Sequence, residues 1–281
     1  MSEASLPAQI LPTHIRARGK IRARFSFDGG RSHLARHFEE GGLRLRCPRL
    51  GDTCEGVLIN SAGGMAGGDD ATYDIEVAPH AAVTLTTQSA EKIYRADSGP
   101  ARVQVALTLG PGACAEWLPQ ETILFNHARL HRRLDIDMAG DASLTVLETL
   151  VFGRLAMDES VSAGDLHDSW RIKRDGKLVF AEELRLEGDM AALLDRPALG
   201  KGARACATFV HVAPDAEARL DSVRAALMDA QPESKAVECA ASACNGMIVA
   251  RFLSPAPEKL RAALAGFLLT FRGKSAPRVW Q

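Results

Sequence analysis

The stretch Asn60-Ser-Ala-Gly-Gly-Met-Ala-Gly-Gly-Asp-Asp70 concentrates shaped backbone and negative charge. Gly63, Gly64, Gly67 and Gly68 permit positive φ and close backbone approach, and Asp69 and Asp70 follow directly. Gly63 and Gly68 have the outer spacing of a phosphate-binding loop. Acids stand where such a loop needs Lys and Ser/Thr, and two carboxylates repel a nucleotide phosphate. That leaves a wide turn, or a stiff loop presenting acids to a cation or a partner. His33 and His37, four residues apart, would share a helix face and could clip a metal. Flanking Gly29, Gly30, Gly41 and Gly42 favour a solvated loop instead. The cysteines (Cys47, Cys54, Cys114, Cys206, Cys239, Cys244) form no C-x-x-C pair. They are expected reduced and mostly buried; Cys239 and Cys244 sharing a soft metal is the lesser alternative.

Two further acids sit in apolar surroundings. Glu121 follows Leu118 and Pro119, and is either a surface acid or a carboxylate facing an interior passage. Glu148 lies in the run Leu144 to Phe152 and, by strand alternation, shares a face with Leu144 and Val146. A buried acid there needs a partner, a cation or water. No G-x-S-x-G elbow, H-E-x-x-H pair or dinucleotide fingerprint occurs, and no Ser/His/Asp spacing marks a triad. A spatially paired set of glycosidase carboxylates stays open.

The elements that position these residues read as mainly β. A strand over Ile21 to Phe27 precedes the glycine loop, which Val57 to Ile59 enters and Tyr73 to Val77 leaves. A unit then recurs at Val77 to Leu85, Leu109 to Trp117 and Met138 to Val146, shifted by 109 − 77 = 32 and 138 − 109 = 29 residues. Such a strand–turn–strand repeat predicts stacked β-sheets of irregular β-helix or solenoid type, more than hairpins of a sandwich. Strands are expected at 144–152, 170–173, 178–186, 206–212, 236–237 and 247–253. A small two-helix part near the C-terminus is expected at about 214–230, ending at Pro232, and about 257–271. The whole chain, 1–281, reads as one domain with a β-helical body over about 20–212.

A net charge of −1 excludes a dedicated nucleic-acid or acidic-membrane binder, and aromatic content of 5% argues against base stacking. Residues 1–20 hold no apolar signal core, and the apolar run from Ala262 to Phe271 is too short to span a bilayer. A cytoplasmic location is expected. Arg278 and Trp280 lie among the last residues of the sequence, either tucked against the body or offered to a partner.

Five segments, in this order, resemble the urease accessory protein family UreD, also called UreH: 60–69, 86–95 (Thr-Thr-Gln-Ser-Ala-Glu-Lys-Ile-Tyr-Arg), 117–125, 152–159 and the Pro277–Trp280 tail. The resemblance covers nearly the whole chain from Ile21. One departure is Asp158, where the family pattern has glycine. The resemblance implies a non-catalytic chaperone of apo-urease with a β-helical fold. It implies association with accessory protein F, and through F with the GTPase accessory protein G, in support of nickel insertion. It implies no tightly bound cofactor and leaves room for nickel in transit. On that reading Asp69, Asp70, Glu121 and Glu148 are candidate transit carboxylates. Tyr94, Arg95, Arg278 and Trp280 are candidate partner contacts. Glu91 and Lys92 read as a solvated edge. The competing readings are a β-solenoid enzyme acting on polysaccharide and a metal-independent β scaffold.

Overall fold

The computed structural model describes residues 16–50, 53–97, 99–230 and 236–280. Its strands in chain order are β1 (Arg18–Asp28), β2 (Arg31–Glu40), β3 (Leu43–Arg46), β4 (Arg49–Leu50), β5 (Thr53–Asn60), β6 (Asp70–Val77), β7 (Ala82–Thr87), β8 (Glu91–Ile93) and β9 (Ala101–Leu109). They continue as β10 (Cys114–Trp117), β11 (Thr122–Leu124), β12 (Arg129–Met138), β13 (Ser143–Phe152), β14 (Gly164–Arg174), β15 (Lys177–Gly188), β16 (Ala205–Val212), β17 (Glu238–Cys244) and β18 (Met247–Ser254). The α-helices are α1 (Met190–Asp195), α2 (Leu220–Asp229) and α3 (Pro257–Arg272).

From β6 to β14 the chain crosses repeatedly between two sheets and returns parallel to itself, which makes a β-solenoid. The first sheet runs β15-β14-β12-β9-β6-β1-β2, and the second β17-β18-β16-β13-β10-β7-β5-β3. The recurring sequence unit is the corner between them. Val77 pairs with Leu109 and Leu109 with Met138 on the first sheet. Leu85 pairs with Trp117 and Trp117 with Val146 on the second. Equivalent residues therefore stack, and the spacing of about thirty residues is one turn. One hydrogen bond recurs at each level: Gly110 N–H donates to the Val77 carbonyl at 2.8 Å, and Ala139 N–H to that of Leu109 at 3.0 Å. A small residue is needed at the corner, because a Cβ on Gly110 would stand 2.9 Å from the Pro79 ring below.

Alternation sends Ile75, Leu107, Ile136 and Ile172 from the first sheet against Leu85, Val146 and Leu150 of the second, forming the core between the sheets. A second core lies on the other face of the second sheet. There Leu147, Phe209, Ile248 and Phe252 meet Val223 and Leu227 of α2, and Leu260, Leu264, Phe267 and Leu268 of α3. Helix α3 forms as its stripe predicts. Pro257 occupies the first turn, and Gly273, at φ 64°, closes the C-terminus. Helix α2 begins later than expected: Pro214 stands in a turn, and a 3-10 turn at Glu217–Arg219 comes first. Its expected stop at Pro232 lies outside the described residues.

The loop expected around His33 and His37 is instead strand β2, paired with β1. That correction removes the helical geometry a metal clip needs. Helix α1 was not signalled by any periodic stripe. It is short, and Asp189 caps it by accepting from Ala192 N–H at 2.9 Å. Asp158, the departure from the glycine pattern, adopts φ 53° at the end of the 3-10 turn Leu155–Met157. Its short polar side chain tolerates the left-handed region that glycine would fill at no cost. Among the described residues, no helix is long and apolar enough to cross a membrane.

Candidate functional site

The interior of the solenoid is not wholly apolar. Glu148, on β13, points between the sheets as its alternation requires and is 6% exposed. From the facing sheet come Arg132 on β12 and Asp168 on β14, both buried. Arg132 donates from Nη1 to Glu148, and from Nε to Asp168 Oδ1 at 2.9 Å. Trp117 Nε1 donates to Glu148 Oε1 at 2.7 Å, and Trp170 Nε1 to Asp168 Oδ1 at 3.2 Å. Burial works against the Arg132 cation, but Asp168 and Glu148 outweigh it and raise its pKa. Burial also pushes the Glu148 carboxyl up, and Arg132 offsets that in part. Two carboxylates to one guanidinium leave a surplus negative charge inside when all are ionised. Removing the Arg132 guanidinium would cost about 3–5 kcal/mol, because both carboxylates then stay buried unpaired, whereas without Glu148 the Arg132–Asp168 pair remains.

Beside this group lies a small recess, lined by Tyr73, Glu91, Trp117, Gln120, Arg132 and Glu148 among others. A second recess shares Tyr73, Thr87 and Glu91 with it and reaches Asn60, Gly63 and Gly64 of the glycine loop. A third shares Asn60 and Gly64 with the second and is lined by Asp69 and Asp70. Glu91 thus belongs to both inner spaces and is not the solvated edge the sequence suggested. Burial pushes its carboxyl up to about 7, although Asn60 Nδ2 donates to both carboxylate oxygens at 3.1 and 3.2 Å. No periodicity marks it: β8 is three residues long. The signal available was Asn60, whose amide needed an acceptor.

The candidate acids fall in separate places. Asp69 is 8% exposed; its Oδ1 accepts from Ala17 N–H and its Oδ2 from Ala66 N–H, each at 2.8 Å. It pins the glycine loop to β1. Asp70 opens β6 and lies 3.9 Å from Arg18. Glu121 lines none of the three recesses. Both its oxygens accept from Arg261 Nη1 at 2.6 Å, which ties the corner to α3. Among the described residues, no three His, Cys, Asp or Glu side chains are already gathered around one metal-sized point.

The loop glycines are needed for two reasons. Gly63, Gly64 and Gly68 have φ of 74°, 148° and 87°, whereas Gly67 is required by contact. A Cβ on Gly67 would lie 2.6 Å from Ala96 Cβ. Tyr94 lies over the loop, donating from its hydroxyl to the Gly63 carbonyl at 3.0 Å, while Arg95 pairs with Asp97 at the surface. Trp280 is tucked: its Nε1 donates to Thr86 Oγ1 at 3.0 Å, and its carbonyl accepts from Arg261 Nη2 at 2.9 Å. Arg278 beside it is exposed. The cysteines depart from expectation, since none is fully buried and Cys114 and Cys244 are exposed. Cys239 and Cys244 stand on one strand, β17, five residues and about 16 Å apart. An odd separation puts them on opposite faces, so they cannot share an ion.

Comparison with known proteins places this architecture. A family model described as "UreD urease accessory protein" matches residues 17–281. The chain is 51% identical over 265 residues to urease accessory protein UreD of Beijerinckia indica, covering 94% of this chain and 97% of that one. It is 48% identical over 280 residues to the UreD of Methylobacterium sp. strain 4-46, covering 99% of each. With the UreD of Bradyrhizobium diazoefficiens, identity is 43% over 280 residues, again covering 99% of each. Similarity of this extent, along the full solenoid and both helices of the outer layer, is similarity of the whole molecule. The chain belongs to the UreD urease accessory protein family.

Proposed function

We infer that this protein is a non-catalytic, cytoplasmic scaffold that binds apo-urease together with accessory protein F, and GTPase G through F, and supports nickel insertion. The observation that carries the reading is family membership over residues 17–281. The polar interior supports it: recesses that share lining residues run from Asp69 and Asp70, past Glu91, to Glu148. Nickel accepts oxygen and nitrogen donors, and a transit route must bind it weakly at several points. Asp70 and Glu148 are the better placed of the candidate acids. Asp70 lies 3.9 Å from Arg18, beyond hydrogen-bond distance, and Glu148 lines the inner recess. Asp69 and Glu121 must first release the backbone and arginine partners that satisfy them. Tyr94, Arg95, Arg278 and Trp280 are proposed partner contacts, with Trp280 acting through the placement of the tail.

That satisfaction of Asp69 and Glu121 favours, for those two, the metal-independent scaffold reading. Co-expression with apo-urease, F and G decides between them. Asp70→Asn and Glu148→Gln are expected to assemble normally and yield urease with reduced nickel. Normal nickel content in both, with intact assembly, removes the interior route. Failure of the wild-type chain to co-purify with F and apo-urease removes the scaffold reading. Hydrolysis of glycans by the purified chain would replace both with the enzyme reading.

A further inference from the structure

The outer face of the first sheet carries a histidine pair that none of the foregoing roles uses. His131 on β12 and His167 on β14 are direct partners across parallel strands, about 4.8 Å apart at the backbone. Their rings lie 5.6 Å apart between centroids at an interplanar angle of 78°, and each side chain is 39% exposed. Each ring is held at the same nitrogen by a carboxylate. His131 Nε2 is 3.2 Å from Asp165 Oδ2, and His167 Nε2 is hydrogen-bonded to Glu183 Oε1. A carboxylate at Nε2 holds the proton there, which leaves the Nδ1 lone pair of each ring available as a ligand. This is the arrangement by which acidic partners orient metal-binding imidazoles.

We propose that His131 and His167 form an exchangeable two-nitrogen site for a late first-row divalent cation, with Asp165 and Glu183 orienting the rings. The surrounding charge fixes the class of ion. Asp165 is shared with Arg129 at 3.5 Å and Glu183 with Arg171 at 3.2 Å. Arg102 and Arg185 flank the histidines in the same rung. No net negative charge is left to attract Ca²⁺ or Mg²⁺, so affinity must come from imidazole nitrogen, which suits Ni²⁺, Zn²⁺ and Cu²⁺. Metal–nitrogen bonds of about 2.0–2.1 Å require the two Nδ1 atoms at about 3 Å, so the half-exposed rings, 5.6 Å apart between centroids, must turn towards each other to bind. Water completes the coordination shell, so the ion can leave.

The inference does not depend on the urease role, and its test uses the isolated chain. Tag-free, full-length protein is titrated with NiCl₂ alone by calorimetry, with circular dichroism confirming the fold of each variant. A saturable event of one equivalent is expected, absent over the same range in His131→Ala and in His167→Ala. Asp165→Asn and Glu183→Gln are expected to weaken it by about 10–100-fold. Paramagnetic broadening by Ni²⁺ should fall first on the imidazole resonances of His131 and His167, and MgCl₂ should neither cause it nor compete. Wild-type affinity in either folded histidine variant, or no binding by the wild-type chain, overturns the proposal. Either result leaves assembly with F and apo-urease untouched, so the two readings fail separately.

Discussion

On the second sheet the positions facing away from the solenoid interior are Leu118, Leu147, Val151, Phe209 and Phe252, and α2 and α3 lie over them. On the first sheet the corresponding positions are Arg22, Asp74, Arg133, Asp135 and Arg171, which stay exposed or half-buried. Both faces arise from the same strand alternation, so backbone geometry does not decide which is covered; side-chain type does. The covered face also has polar anchors at its margin. Arg272, at the end of α3, donates from Nε and Nη2 to the two oxygens of Glu116, both at 2.7 Å. His211 is held neutral there. Burial and Arg219 lower its pKa to about 4, and because Arg219 Nη1 can only donate, the His211 Nδ1–H is the one facing Thr145 Oγ1. On the bare face the ion pairs are solvated, as with Arg24 and Glu76 at 3.0 Å.

The largest expected effect lies in the covering layer. Phe267 is fully buried and packs edge-on against Phe209 and Phe252. Phe267→Ala should cost about 3–5 kcal/mol in urea unfolding at pH 7. A loss under about 1 kcal/mol would mean the helices merely rest on the sheet.

The second effect is a pH dependence. Burial raises the Glu116 carboxyl, but Arg272, Thr84 and Lys274 outweigh it and hold it at about 2. A carboxyl lowered in the folded state contributes stability that is complete above its unfolded value of 4.5 and lost as pH falls towards 2. The contribution is on the order of 3 kcal/mol. Melts between pH 6 and 2.5 should fall more steeply for the wild type than for Glu116→Gln; parallel curves would detach the anchor from stability.

Glu91 supplies the opposite slope from the interior. Its carboxyl, raised to about 7, keeps its proton in the folded state over a range where the unfolded chain has released it. Stability therefore falls as pH rises from about 4.5 to 7, by no more than about 3 kcal/mol, and Glu91→Gln should remove that fall. Equal slopes for the two proteins would place Glu91 in free contact with water.

The smallest effect belongs to the bare face. Arg24→Ala should cost about 0.2–1 kcal/mol and less in high salt. A salt-independent loss above about 2 kcal/mol would show that this face is structural after all.

The contrast also explains what the sequence discloses. The solenoid was legible because Val77, Leu109 and Met138 repeat a local pattern and then stack on one another. Helix α3 was legible because Leu260, Leu264 and Phe267 recur at helical spacing. Glu148 could be placed inward from Leu144 and Val146 on the same strand. What sequence could not supply were pairings between distant elements. Glu121 finds Arg261 across 140 residues, and Glu116 finds Arg272 across 156. His131 meets His167 because one turn there takes 167 − 131 = 36 residues, a length set by the loop after Phe152. The depth of Glu91 depends on loops packing around a three-residue strand, and no pattern within the strand encodes it.

A parallel stack has no intrinsic end: its last strand offers the same hydrogen-bonding edge as every strand before it, to any further chain that runs the same way. Here the direction reverses at the margins. Strand β2 runs antiparallel to β1 at one side of the first sheet, and β15 antiparallel to β14 at the other, each pairing interrupted by a bulge. On the second sheet β3 reverses against β5, and β16 against β13. The bulged borders twist away from flat edge-to-edge addition. A stack that could otherwise lengthen turn by turn is thereby interrupted at its margins, where the next strand no longer repeats the direction of the one before it.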